Sequence, residues 1–86
     1  MHETTLIKRM LDVVERVQKE QPQGVIKGIT VELPEFSSMD EEHFRFHFQE
    51  AVKDSTWAHL ELEIVRVDVG IDPKLTHVTV RKDDKV

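Results

Sequence analysis

Eighty-six residues, 38% hydrophobic and 34% charged, describe one folded domain whose core is built from a dozen or two side chains, with little volume left for a deep active-site cavity. A net charge of −5 argues against nucleic-acid or anionic-membrane binding, since both draw affinity from clustered Lys and Arg, and the only basic pairs are Lys8-Arg9 and Arg81-Lys82. The absence of cysteine excludes disulfides and thiolate zinc sites, and a cytoplasmic location is expected. Glu3, Lys8, Arg9 and Asp12 interrupt any apolar run that would serve as a signal peptide or a membrane span.

Between residues 4 and 20, Leu6, Ile7, Met10, Val13, Val14 and Val17 recur at three- and four-residue steps, the period of an amphipathic helix. Gln21-Pro22-Gln23-Gly24 ends it, because proline cannot continue the ladder and glycine suits the turn. A strand follows over 25–33, with Val25, Ile29, Val31 and Leu33 inward, Lys27 breaking the set, and Thr30 and Glu32 on the other face. Ser38-Met39-Asp40-Glu41 has the form of a capping box with Ser38 as the cap. It opens a helix over about 39–54, where Phe44, Phe48, Ala51 and Val52 form an apolar stripe and Phe46 widens it.

Leu60, Leu62 and Ile64 alternate with His59, Glu61 and Glu63 before the apolar parity shifts to Val65, Val67 and Val69. A bulge, or an end buried on both faces, would explain that shift. After the break at Gly70-Ile71-Asp72-Pro73, residues 76–81 alternate again with Val78 and Val80 inward, and 83–86 read as a frayed tail. The expected fold is α+β, in the order α-β-α-β-β: two helices on a three-stranded mixed sheet. The helical connection between the first two strands suits a parallel crossover, and the short 68–75 loop lets the last two strands pair antiparallel.

Chemistry concentrates at Met1-His2-Glu3. The terminal amine, the ionised amide of His2 and its imidazole close fused rings around one ion, and the amide of Glu3 supplies a fourth nitrogen. That planar set suits nickel(II) or copper(II) better than tetrahedral zinc. The first amides of a helix lack intrahelical acceptors, so their use as ligands sacrifices no helix bond. Amine, imidazole and amides must all lose protons, so binding weakens as pH falls.

The chain resembles the nickel-binding domain of the HypA/HybF family of hydrogenase and urease maturation proteins. The carriers are Met1-His2-Glu3 with Leu6, the strand Gly28-Ile29-Thr30-Val31-Glu32-Leu33, the stretch Phe36-Ser37-Ser38-Met39-Asp40 leading into Phe44-Arg45-Phe46-His47-Phe48, and Leu60-Glu61-Leu62-Glu63-Ile64. The resemblance implies a single nickel-binding domain over 1–86 and a nickel metallochaperone. Its nickel ligands map onto His2 and the amides of His2 and Glu3, and its partners are a nickel-enzyme precursor or a maturation GTPase. Two departures stand out: the family's zinc domain, with two Cys-x-x-Cys pairs, is replaced by the 68–75 loop, and its glycine after the first strand by Pro34-Glu35. No structural zinc is expected. The alternative is a metal-free adaptor of the same fold that contacts a metalloenzyme subunit or the GTPase.

Other candidates read as surface or structural residues. His43 and His47 stand four apart on the second helix, a spacing that suits a shared ion but lacks a third ligand nearby in sequence. His59 and His77 fall on polar parities and are expected to face each other across a strand pair. Asp40, Glu41 and Glu42 suit the positive end of a helix dipole. An enzyme is not expected: there is no nucleophilic cysteine, and Gly24-Val25-Ile26-Lys27-Gly28 lacks the Ser or Thr and the helix of a phosphate loop.

Overall fold

The structure, a computed structural model, describes residues 3–37 and 39–82. Helix α1 spans Glu3–Glu20, strand β1 Gly24–Pro34, helix α2 Glu41–Val52, strand β2 Glu61–Val67 and strand β3 Lys74–Lys82, with a 3-10 turn at Thr56–His59 before β2. This is the expected α+β order, two helices on one three-stranded mixed sheet. The anticipated tail at 83–86 and the proposed cap Ser38 lie outside the described residues.

Helix α1 ends where expected. The Gln21 amide donates to Val17 O at 3.0 Å, and Gly24 N donates to Gln21 O at 2.9 Å, closing the turn into β1. The Gln18 side chain ties the same turn by donating to Gly24 O at 2.8 Å. Ile7, Met10 and Val14 are the buried stripe of α1.

Strand β1 is central, and the sheet order is β2-β1-β3. β1 pairs parallel with β2, from Gly28↔Glu61 to Pro34↔Val67, and antiparallel with β3. The parallel crossover is as expected, but β2 and β3 do not pair with each other. The most apolar strand, carrying Ile26, Ile29, Val31 and Leu33 at 2% exposure or less, takes the position with two neighbours, and the Glu-, Lys- and Arg-bearing strands take the edges. Six residues reach up to about 20 Å, ample for the roughly 10 Å between the two edges, so the β2–β3 loop crosses the end of β1. There Glu35 N donates to Val67 O at 2.8 Å. Gly70, at φ 98°, lies over Pro34; a Cβ added to it would stand 3.7 Å from Pro34 Cγ. Its positive φ suits glycine alone at low strain.

The parity expectations need two corrections. Register shifts fall between Ile26 and Gly28, and between Thr30 and Val31, in the β1–β3 pairing. The first sets Lys27 in a bulge, which flips parity, so Ile26 is buried and Val25 exposed. By contrast β2 is regular against β1, and the parity shift at its end has neither a bulge nor two-sided burial. Val65 and Val69 are exposed.

Helix α2 also departs from expectation at its start. Its N-cap is Asp40, whose Oδ1 accepts from His43 N at 2.8 Å, while Glu41 pairs with Arg45 at 3.4 Å. A carboxylate caps as well as a hydroxyl, and starting there sets Met39 and Phe44 at the two positions of a hydrophobic staple; both belong to the buried cluster. Asp40→Ala should cost about 1 kcal/mol, read as a lowered urea midpoint with an unchanged slope. Phe44, Phe48 and Val52 are buried, but Ala51 and Phe46 are exposed, because the core-facing arc of α2 is narrower than the run Phe-x-Phe-x-Phe suggests. Among the described residues, no helix is long and apolar enough to cross a membrane.

Candidate metal centre

Of the three residues expected to hold an ion, Met1 and His2 lie outside the described residues. Glu3 opens α1, the start that the ligand argument requires, since amides in a first turn have no intrahelical acceptor. Among the described residues, no three of His, Asp or Glu converge on a point that would hold an ion.

The remaining histidines divide into two pairs. His59 and His77 do not face each other across a strand pair, as β1 lies between β2 and β3. His59 sits in the 3-10 turn instead, with Nε2 3.0 Å from Ile26 O and Nδ1 3.0 Å from Thr56 O. A neutral ring donates to one of these carbonyls, so His59 fastens the turn to itself or to β1. His77 Nδ1 lies 3.0 Å from Thr76 Oγ1. His43 and His47 stand side by side on α2, with ring centroids 4.8 Å apart and planes at 29°. Phe46 meets the His47 ring edge-on at 5.6 Å.

Two contacts had no clear signal in the sequence. Arg45 donates from Nη1 to Leu62 O at 3.0 Å, tying α2 to the edge strand β2. The His59 clasp depends on the turn after α2, where Ser55 Oγ accepts from Trp57 N at 3.0 Å; Ser-Thr-Trp gives only a weak hint of it. At the loop end of the sheet, a shallow cleft of about 320 Å³ is bordered by Glu32, Pro34, Val67, Asp68, Asp72 and Lys74. It is open and of mixed charge.

A family model described as hydrogenase/urease nickel incorporation, metallochaperone, hypA, matches residues 1–82, a span that includes Met1-His2-Glu3 and all five regular elements. The chain belongs to the HypA family. The solution structure of the Ni metallochaperone HypA from Helicobacter pylori is similar, with a TM-score of 0.68 and 17% identity over 95% of this chain and 97% of that one. At that identity the likeness speaks for the HypA fold. Comparison with curated proteins gives no significant match.

Proposed function

We propose that this chain binds nickel at its N-terminus and carries it to the precursor of a nickel enzyme such as a hydrogenase or urease, acting as an accessory protein and not as an enzyme. The observation that carries this reading is the HypA family match beginning at residue 1. It takes in a terminal amine, a histidine and a third residue that opens a helix. The proposed ligands are the Met1 amine, the amides of His2 and Glu3, and the His2 imidazole. Nickel here is cargo, held by nitrogens that give it up on protonation. The similar Helicobacter pylori protein is named a nickel metallochaperone, which supports the same role. We take residues 1–86 as one nickel-binding domain acting in the cytoplasm, with an enzyme precursor or a maturation GTPase as its partner and no structural zinc.

The cysteine-free loop between β2 and β3 favours one other reading: an adaptor that kept the fold to contact a metalloenzyme subunit or GTPase and no longer moves metal. A titration separates the two. Nickel(II) added to protein with its native terminus should give the absorbance of a diamagnetic, square-planar complex, absent from His2→Ala and from a form extended by several residues at the N-terminus. No spectrum from the native terminus would favour the adaptor, and either that result or equal spectra from all three would overturn nickel binding at the N-terminus. Copper(II) is not a substitute probe, because a nitrogen site of this kind holds it more tightly whatever its biology.

A further inference from the structure

We propose that His43 and His47 form a second metal site on the outer face of α2, one that takes a borderline divalent ion such as nickel(II) through two imidazoles and completes its coordination with water. Residues four apart on a helix lie about 6 Å apart along the axis and project from the same face. Here the rings already stand together, 4.8 Å between centroids and within 29° of parallel. An ion bound at about 2.1 Å by each imidazole needs the two nitrogens in adjacent coordination positions. A modest rotation of the stacked rings about their side-chain bonds brings them there.

The two rings also differ from the other described histidines. His59 and His77 have ring nitrogens engaged with Ile26, Thr56 and Thr76. Neither His43 nor His47 has a hydrogen-bond partner for its ring among the described residues, so no existing bond must break before metal binds. The Phe46 edge against His47 gives that exposed aromatic a place: it limits the swing of the ring and shields one side of the site. No third His, Asp or Glu among the described residues joins the pair to hold an ion, and two of the nearby carboxylates are engaged. Asp40 caps the helix, and Glu50 pairs with Lys53 at 3.3 Å, so the protein donors are the two imidazoles alone. Imidazole suits nickel, copper and zinc alike, and two donors with water favour an open, octahedral nickel(II).

This site is independent of the terminal one and differs from it in spin state. Octahedral nickel(II) is paramagnetic and broadens nearby NMR signals, whereas the square-planar terminal complex is diamagnetic. The test is nickel(II) titrated into the N-terminally extended protein, followed by heteronuclear NMR and calorimetry. Saturable binding of about one equivalent is expected, with broadening centred on His43 and His47. His43→Gln and His47→Gln should each weaken binding at least ten-fold while leaving the thermal melt of the metal-free protein nearly in place, since His43 is exposed, His47 is only partly buried and neither belongs to the core cluster. Broadening centred elsewhere, no saturable binding, or affinities within two-fold of the parent in both variants would overturn the proposal. In native-terminus protein carrying both Gln substitutions, the diamagnetic band should persist, so either site can fail without the other.

Discussion

Replacing Phe44 with alanine is expected to unfold most of the domain under conditions where the parent is stable. Phe44 is fully buried and joins Met39 and Phe48 of the same segment to the strand residues Ile26, Ile29 and Val31 in one cluster. Removing a buried phenyl ring costs about 3–5 kcal/mol, because the transfer energy is lost and the cavity collapses only in part. A domain of this size holds on the order of 5–10 kcal/mol in total. Urea denaturation followed by circular dichroism should show the midpoint falling by half or more. The companion Phe46→Ala supplies the contrast: at 57% exposure, its loss should shift stability by no more than about 0.5 kcal/mol. Equal losses from the two substitutions would mean that the packing of α2 described above is wrong.

Gly28→Ala is expected to separate β2 from the sheet. A Cβ built on Gly28 would stand 2.6 Å from the carbonyl oxygen of Glu61 and 3.1 Å from its Cβ, at the first rung of the parallel ladder. The obstacle is backbone and cannot rotate aside, so β2 must move or the rung must open; overpacking of this kind costs about 1–3 kcal/mol. Gly24→Ala is the contrast, since there the close atom is Val80 Cγ1, also at 2.6 Å, on a β-branched side chain of β3 that is stiff at χ1, so the strain falls on the β1–β3 pairing and not on β2. Amide hydrogen exchange should show β2 protection falling in Gly28→Ala ahead of α1, and little change in β2 protection in Gly24→Ala. Uniform loss across all three strands would count against a local effect.

The elements themselves were legible because their periods are strong. The Leu6 to Val17 stripe and the proline-glycine turn after it gave α1 nearly to the residue, and Val78 and Val80 gave the inner face of β3. Strand order was not legible. Neighbourhood in sequence favours pairing β2 with β3, and only the apolar content of β1, buried by two neighbours at once, outweighs it. The Lys27 bulge was visible as a polar residue in an apolar set, but its effect on Val25 and Ile26 depends on pairing with β3, a long-range fact. Asp40 as cap lost to Ser38 because both residue types cap helices, and only the burial of Met39 and Phe44 decides between them. For the proposed metal centre, the ligand set is read from the sequence alone, as a terminus, its first amides and one imidazole, and Met1 and His2 lie outside the described residues. The His43 and His47 spacing was equally visible, yet their stacking and lack of other partners were not.

The loop that passes over Pro34 joins the two outer strands of the sheet without entering either ladder, and both of its ends are fixed by pairing to β1. Its length is therefore a nearly free variable, because closing a longer loop costs only about 0.6 kcal/mol for each doubling. A peptide tag, a fluorophore-bearing hairpin or an entire small module grafted between Asp68 and Asp72 should leave the parent architecture standing. For protein engineering, this makes the crossing the natural port of the scaffold.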